Sequence, residues 1–234
     1  YSELLKQWAK VDSAAALRFA TSALQGSTQY QALCGVFETL ANKDPNHAFA
    51  TWKETRSQLD DPLSAQGALL SITDSWWIRD LQAAMSAIQT IEGESDRHSA
   101  INGCFSRSFD EASDDDKVRL LAVFKSFEDT GNRNHGVKAF ANALARNRSL
   151  SEMESWMQEQ GLTGDALAHA ERGAAEQHLG KNPKEAAQWL GKRATEESLA
   201  EHLNSIVIQW AMHEPNAVGE WLGTFPLSEN TDTA

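Results

Sequence analysis

Hydrophobic positions recur along the chain around a short polar corner, and the stretch from Trp210 to Leu222 shows this pattern most fully. One apolar residue lies four positions before the corner at Glu214, and another lies seven positions after it. Six earlier stretches align with this one. The corner residues are Asp12, Asp44, Asp80, Ser113, Arg148, Asn182 and Glu214. Successive corners are 32 to 36 residues apart, and a period of about 34 is typical of stacked helical hairpins.

The two apolar positions are predicted to lie on the two helices of each hairpin, helix A before the corner and helix B after it. The position four residues before the corner holds Trp8, Leu40, Trp76, Phe109, Leu144, His178 and Trp210. The position seven or eight residues after it holds Phe19, Trp52, Ile88, Leu121, Trp156, Trp189 and Trp221. We expect both positions to be buried between helices, because they fall on the facing turns of a helical pattern.

Each corner has the chemistry of a helix start. Asp, Asn and Ser side chains accept hydrogen bonds from the free N–H groups of a first helical turn. Proline follows the corner at Pro45, Pro183 and Pro215, where a helix does not need the missing N–H group. Arg148 is a poor cap, so we expect Ser149 to cap that helix, in a capping box with Glu152.

Helix A carries its own apolar stripe in two of the hairpins. The spacing predicts one helix through Ile101, Phe105, Ser108 and Phe109, and another through Leu199, Leu203, Ile206 and Trp210. Gly-rich polar segments are expected to be the loops that close each hairpin, at 26–28, 93–95, 131–136 and 161–164. The chain is thus predicted to be all-α. We expect a right-handed α-solenoid of about seven helix-turn-helix repeats in a single domain over residues 1–227, with a disordered tail over 228–234.

Composition and charge narrow the classes of partner. The net charge of −12 disfavours nucleic acid, whose phosphates need a basic surface. An acidic net charge usually serves to keep a protein soluble. The alternative interpretation is that the acidic surface binds a basic partner or a cation. No stretch approaches the roughly 18 apolar residues of a membrane span. The chain begins at Tyr1, so we interpret it as a processed or excised piece of a protein. Removal of an upstream export signal would produce such a piece. The sequence therefore does not decide the cellular compartment.

Cysteine and histidine positions give no catalytic or metal-binding motif. Cys34 and Cys104 lie two repeats apart, on the order of 20 Å, so we expect small core residues and no disulfide. The sequence contains neither Cys-x-x-Cys nor His-Glu-x-x-His. His178 takes a position that is otherwise mostly Trp or Leu, and we expect an interior histidine there. We predict no metal and no cofactor.

Two further segments resemble ligand sites only weakly. The segment 131–138 has glycines and a lysine, but it lacks the Lys-Ser or Lys-Thr pair of a phosphate loop, so a flexible loop between repeats is the prediction. The densest acidic run comprises Asp110, Glu111, Asp114, Asp115 and Asp116. It lacks the alternating ligands and the glycine of a calcium loop. A solvated, over-charged helix start is one interpretation, and a contact with a cation or a basic peptide is the other.

Trp76 and Trp77 are adjacent and must point to different faces of a helix. Trp76 has the buried position, so Trp77 points elsewhere. It either covers a neighbouring helix or is exposed as an anchor for a partner, because exposed tryptophans are favoured contact residues. Trp77 and the five acidic residues are the candidate binding residues.

The repeated pattern Trp-Ala-x-x-Asp/Glu-Pro followed by Trp-Leu, clearest at Trp210 to Leu222, resembles the tandem helical-hairpin repeats of uncharacterised bacterial proteins. These belong to the broad tetratricopeptide- and HEAT-like α-solenoid class. The sequence departs from the true tetratricopeptide signature, because no copy has Trp-x-x-Leu-Gly-x-x-Tyr and the proline opens helix B. The resemblance implies a protein-binding scaffold by analogy of fold, and it transfers no catalytic residue.

Three functions follow from these observations. The favoured hypothesis is a non-enzymatic scaffold that binds a protein or peptide. The second is a spacer or assembly segment of a larger envelope or regulatory protein. It rests on the first and last hairpins, which lack the polar outer face of terminal repeats and so predict a longer array or end-to-end association. The third, an α-helical hydrolase acting on sugars, would need two carboxylates about 5–10 Å apart beside an exposed tryptophan.

Overall fold

The computed structural model describes residues 2–59, 61–192, 207–208, 210–212 and 214–223. These residues form helices and connecting turns and contain no strand, so the all-α prediction is confirmed for them. The chain divides into two compact units, Tyr1–Glu128 and Asp129–Ala234. The expected right-handed solenoid of seven repeats and the single domain over 1–227 stay predictions. Residues 228–234, and Leu199, Leu203 and Ile206 of the last predicted helix A, lie outside the described residues.

The first unit consists of helices joined by tight turns. Its helices are α1 (Ser2–Val11), α2 (Ser13–Ser22), α3 (Gly26–Lys43), α4 (Pro45–Arg56), α5 (Pro62–Arg79), α6 (Leu81–Gln89), α7 (Glu94–Gly103), α8 (Arg107–Glu111) and α9 (Asp114–Lys125). The helices α1, α3, α5 and α7 pack in that order, each against the next. The helices α2, α4 and α6 each pack against the helix before and the helix after them.

In the described part of the second unit, from α10 to α13, longer helices alternate with shorter ones. These helices are α10 (Thr130–Leu144), α11 (Leu150–Glu159), α12 (Gly164–Leu179), α13 (Pro183–Gly191) and α14 (Pro215–Leu222). Residues 207–208 and 210–211 are also helical. The helix α12 is central, because α10, α11 and α13 all pack against it.

The polar corners start helices, as the sequence predicts. The caps with a side-chain hydrogen bond to the first turn are Asp12, Asp44, Asp80, Ser113 and Asn182. Ser149 caps α11 in place of Arg148, and the capping box with Glu152 is complete. Glu214 is the exception. Its side chain caps nothing in α14 and instead accepts a hydrogen bond of 3.0 Å from Trp210 Nε1.

The apolar positions around the corners are mostly buried. Those that are buried include Leu40, Trp52, Trp76, Ile88, Phe109, Leu121, Trp156, Trp189, Trp210 and Trp221. His178 is buried as expected, and its Nε2 lies 2.9 Å from the carbonyl oxygen of Arg148. Leu144 is only half-buried. The first helix pair differs from the prediction, because Trp8 and Phe19 are exposed and contact each other at 5.7 Å between ring centroids.

Glycine permits the closest approach of helix backbones in both units. A Cβ atom at Gly103 would lie 1.9 Å from Thr73 Oγ1 and 2.6 Å from the carbonyl oxygen of Leu70, so α7 meets α5 almost backbone to backbone. At Gly173 a Cβ would lie 2.2 Å from the carbonyl oxygen of Lys138. The helices α10 and α12 therefore cross at a distance that only glycine permits.

The predicted loop over 131–136 is wrong, because this segment forms the first turns of α10. The Asp129 side chain caps that helix by accepting a hydrogen bond of 2.7 Å from the Asn132 backbone N–H. Asn132, Asn134 and Gly136 are buried. Capping and packing thus outweigh the weak helix propensity of Gly and Asn here.

The other glycine-rich loops are shorter than predicted. The helix α3 already begins at Gly26, α7 at Glu94 and α12 at Gly164. Gly26 and Gly164 have φ values of +56° and +55°, so glycine makes the entry into each helix where another residue would be strained.

The predicted helix through Ile101 and Phe109 is interrupted. Residues Cys104, Phe105 and Ser106 have backbone N–H groups that bond to the residue three positions earlier, so α7 ends and α8 begins separately. Ile101, Phe105, Ser108 and Phe109 are nevertheless all buried. The apolar stripe is therefore confirmed although the helix is not continuous.

Candidate functional site

Four ionisable side chains form a row across the first unit. Lys6 on α1, Glu38 on α3, Asp74 on α5 and Arg107 on α8 each lie six residues before a corner. Because helix A ends at the corner in each pair, the same offset places these residues at the same turn of neighbouring helices. We call these four residues the charged row.

The side chains of the charged row reach one another across the helices. Lys6 Nζ lies 2.6 Å from Glu38 Oε2. Arg107 Nη2 lies 3.6 Å from Glu38 Oε1 and 3.6 Å from Asp74 Oδ2. Asp74 Oδ1 also accepts a hydrogen bond of 3.0 Å from the Ser108 backbone N–H. This bond fixes the start of α8 on α5 and thereby positions Arg107 between the two carboxylates.

The charged row is accessible to a partner. The Arg107 side chain is 68% exposed, those of Lys6 and Glu38 are about one third exposed, and that of Asp74 is 15% exposed. Ion pairs between exposed side chains contribute about 0–1 kcal/mol. Arg107 is the exposed member of the row, so a partner's charges can replace its pairs at little cost in stability.

Tyr30 and Cys34 extend this surface along α3, because they lie one turn apart in line with Glu38. Burial raises the pKa of the Cys34 thiol, and the Glu38 carboxylate raises it further. The thiol is therefore protonated at neutral pH and is not the thiolate that a nucleophilic cysteine needs. Tyr30 is partly exposed, and its phenol and the thiol of Cys34 interact. Cys34 is thus half-buried rather than a full core residue, whereas Cys104 is fully buried as predicted.

The predicted acidic run lies at the corner between α8 and α9. Asp110 and Glu111 end α8, and the other three residues form the first turn of α9, namely Asp114, Asp115 and Asp116. Ser113 donates a hydrogen bond of 2.6 Å to Asp116 Oδ2, and Arg119 pairs with the same carboxylate. The hydrogen bond from Ser113, followed by the nearby Arg119 charge, holds the pKa of Asp116 below its ordinary value.

This acidic corner has the features of a charged helix start. Carboxylates in a first turn interact favourably with the positive end of the helix dipole, and Asp114 and Asp115 are exposed to solvent. Within the described part of the chain, no three His, Cys, Asp or Glu residues are grouped so that they could hold a metal ion. A contact of this corner with a basic partner stays a prediction.

Trp77 is not an exposed anchor, so that alternative of the sequence analysis is wrong. The side chain is 2% exposed, its Nε1 donates a hydrogen bond of 2.9 Å to Ser108 Oγ, and its ring packs 6.5 Å from the Phe109 ring. It covers a neighbouring helix, as the other alternative stated. The bond explains the burial, because an indole N–H is costly to bury without an acceptor.

Two grooves are found elsewhere on the described surface. One lies between α2 and α4 and has a volume of about 300 Å³. Its lining includes Leu17, Arg18, His47 and Glu54. The other has a volume of about 610 Å³ and lies at the corner of α12 and α13. Its lining includes Lys181, Lys184, Met212 and Glu214.

Comparison with known protein families, with curated proteins and with solved structures gives no match to this chain. None of the described helices is long and apolar enough to cross a membrane.

Two functional features were not predicted from the sequence. One is the charged row, which a search for ionisable residues at a constant offset from the corners would have found. The other is a basic residue directly before the corner in three helix pairs. Its side chain donates to carbonyl groups in the preceding helix A or in the turn that follows that helix. Lys43 Nζ bonds to the Lys10 carbonyl at 2.9 Å, Arg79 Nη1 to the Asn42 carbonyl at 3.0 Å, and Lys181 Nζ to the Arg146 carbonyl at 2.7 Å. These bonds fasten successive helix pairs together.

Proposed function

We propose that this chain is a non-enzymatic scaffold that binds a protein or peptide partner along the charged row. The observation that carries the proposal is the constant offset of Lys6, Glu38, Asp74 and Arg107 from their corners. Four helix pairs in succession present an ionisable side chain at one surface, and these side chains lie within ion-pair distance of each other. A repeated fold that presents variable side chains at a constant position is suited to reading an extended partner.

A right-handed α-solenoid of about seven helix pairs is the architecture that we propose for the scaffold. The packing of α1, α3, α5 and α7 in sequence order supports it, as do the capped corners at intervals of about 34 residues. The bonds from Lys43, Arg79 and Lys181 to the preceding pair support it further. The tetratricopeptide- or HEAT-like character of the repeats belongs to this proposal.

The order of charges in the row defines the chemistry of the partner. Packed helix axes lie about 8–10 Å apart, and an extended peptide advances about 3.3 Å per residue. In a peptide that crosses the helices, about every third residue would therefore lie over the next helix. A peptide complementary to the charged row would carry, in order and about three residues apart, an acidic residue, two basic residues and a second acidic residue. Tyr30 offers an adjacent aromatic contact, and the acidic corner favours basic residues beyond the end of the row.

The alternative of a sugar-acting hydrolase has weaker support. Glu38 and Asp74 lie on either side of Arg107, so the guanidinium group occupies the space that a substrate would need. Trp76 and Trp77, which follow Asp74 in α5, are both buried and cannot stack on a sugar. The spacer or assembly segment has support of its own, from the exposed apolar residues of the first helix pair.

Peptide selection from a displayed random library, followed by hydrogen-exchange mass spectrometry of the complex, tests the proposal. We expect selected peptides to carry the complementary charge order and to slow exchange in the segments of α3, α5 and α8 that hold the row. Peptides that protect only α11 to α13 would place the binding surface elsewhere. A selection that yields no peptide with micromolar affinity would contradict a peptide-binding role.

A further inference from the structure

The groove between α2 and α4 has an apolar floor and polar rims. Both helices pack against α3, and the space between them has a volume of about 300 Å³. Leu17 of α2 and Leu40 of α3 are its large apolar lining residues. We call this space the α2–α4 groove. Its walls and floor belong to two successive helix pairs, so it is an internal feature of the repeat pattern.

The equivalent space in the next junction, between α4 and α6 over α5, is filled by two aromatic rings. Phe49 lies five residues after its corner, where the groove has Leu17. Trp76 lies four residues before its corner, where the groove has Leu40. The two rings are buried and lie 5.9 Å apart between centroids. The α2–α4 groove is therefore open because two leucines replace two aromatic side chains.

A lysine side chain also occupies this filled junction. Lys53 Nζ lies 5.0 Å from the centroid of the Phe49 ring and donates a hydrogen bond of 3.0 Å to Thr90 Oγ1. The groove has Thr21 at the position of Lys53 and Glu54 at the position of Thr90. It thus has a short side chain in place of the lysine, and a carboxylate where an ammonium group is accepted in the next junction.

The rim of the groove is polar where the filled junction is apolar. Three lining positions differ in this way: Arg18 for Ala50, His47 for Ala83 and Thr51 for Ala87. His47 and Glu54 are seven residues apart on α4, so they lie on one side of the helix about 10 Å from each other. The groove therefore has nitrogen donors at one end, a carboxylate at the other and an apolar centre.

We propose that the α2–α4 groove binds a partner peptide that supplies the groups found in the filled junction. An aromatic side chain of the peptide lies over Leu17 and Leu40, and a lysine or arginine lies beside Glu54. An acidic residue at the other end of the groove pairs with Arg18 and His47, which completes the charge complementarity. The net charge of −12 favours the approach of the basic residue.

An extended peptide satisfies this order when the three residues alternate with others. Side chains at every second position lie on one side of an extended chain, and the first and fifth residues are about 13 Å apart. That span covers the two ends of the groove once the side chains bend inward. The matching pattern is an acidic residue, an aromatic residue and a basic residue at the first, third and fifth positions, in one chain direction or the other.

The α2–α4 groove is a binding surface separate from the charged row. Glu38 of the row and Leu40 of the groove floor are two residues apart on α3, so they point about 200° apart around the helix. The groove and the row therefore lie on opposite faces of α3. Binding at one does not require a partner at the other.

Calorimetric titration of the 234-residue chain tests the proposal with two probes, acetyl-Asp-Gly-Trp-Gly-Lys-amide and the peptide of reversed order. We expect one of them to bind saturably with a Kd below about 1 mM, and alanine in place of its tryptophan to weaken binding about tenfold or more. Amide NMR shifts should change in α2 and α4. The absence of saturable binding by both peptides overturns the proposal, as do shift changes confined to the helices of the charged row.

Variants that fill the groove should abolish this binding. Leu40→Trp installs the residue of the filled junction, and Thr21→Lys supplies an internal ammonium group to Glu54, so each should weaken binding about tenfold or more. Ser22→Lys is the matched control, because this exposed neighbour of Thr21 does not line the groove. Circular dichroism identifies the folded variants, and the half-buried Thr21 position keeps the test valid if Leu40→Trp does not fold. Unchanged affinity in either folded variant overturns the proposal.

Glu54→Gln tests the recognition of the basic residue. It should weaken binding of the lysine peptide about tenfold and leave unchanged the affinity of the same peptide with methionine in place of lysine. A merely structural effect of the substitution would weaken both peptides equally. That result would overturn the assignment of the basic residue to the Glu54 end of the groove.

Discussion

Trp77 Nε1 donates a hydrogen bond of 2.9 Å to Ser108 Oγ, which joins α5 to α8 across 31 residues of sequence. The same α8 positions Arg107 in the charged row, so this bond links a core contact to the candidate binding surface. Asp74 reinforces the link by accepting from the Ser108 backbone N–H. The stability of α8 and the geometry of the row therefore depend on the same contacts.

Replacement of Trp77 should destabilise the first unit strongly. Trp77→Ala removes a fully packed indole, and we expect a loss of about 3–5 kcal/mol in the free energy of unfolding. Trp77→Phe keeps most of the packing and loses the hydrogen bond, so about 1–2 kcal/mol is expected. Urea unfolding followed by circular dichroism measures both. Near-equal stability of the wild type and Trp77→Ala would show that the side chain is not in the core.

The crossing of α10 and α12 should not tolerate a methyl group. Gly173→Ala would bring a Cβ to within 2.2 Å of the Lys138 carbonyl oxygen, so the helices must separate and the melting temperature should fall by several degrees. Gly219→Ala in α14 is the matched control. Its Cβ meets no atom of the described residues within 4 Å, and alanine in a helix should stabilise by about 0.5–1 kcal/mol. Equal effects of the two substitutions would contradict the close crossing.

The corner residues should stabilise the helices that follow them. Asp44 accepts a hydrogen bond of 3.1 Å from the His47 backbone N–H at the start of α4. Asp44→Ala should cost about 1 kcal/mol, whereas Asp44→Asn retains a cap and should cost much less. Chemical denaturation of the two variants gives the comparison. If asparagine proved as damaging as alanine, the side-chain hydrogen bond would not be the source of the stability.

The capping box of α11 should make a pH-dependent contribution. Hydrogen bonds from the Ser149 backbone N–H and hydroxyl lower the pKa of Glu152. A carboxyl group whose pKa is lower in the folded state stabilises the fold above its ordinary pKa, and the contribution is lost as the pH falls through the folded value. Ser149→Ala should therefore be less stable than wild type near neutral pH, and the difference should shrink below about pH 4. Unfolding curves at both pH values test this, and a difference independent of pH would contradict it.

Local features of this fold were predictable from the sequence, since caps, prolines and apolar spacing act within a few residues. Asp44 with Pro45 and Ser149 with Glu152 are examples, and the structure places all four as the sequence predicts. The buried position of Trp76 follows in the same way. These features can be predicted without knowing which helices pack against each other.

Features that depend on helix-to-helix contacts were not predictable in this way. The segment 131–136 is helical because Asp129 caps it and α12 packs on it, although its own residues favour a loop. The burial of Trp77 depends on Ser108, which lies on another helix. The members of the charged row can be found in the sequence by their constant offset from the corners, but the ion pairs between them depend on the packing of α1, α3, α5 and α8.

Isothermal titration calorimetry with a selected peptide tests the proposed function most directly. Arg107→Glu should weaken binding by about tenfold to a hundredfold, because it reverses the most exposed charge of the row and places a like charge beside Glu38 and Asp74. Lys184→Glu, an equal charge change in the other unit, should leave the affinity unchanged. Equal affinity of the wild type and Arg107→Glu, or an equal loss in both variants, would contradict binding at the charged row.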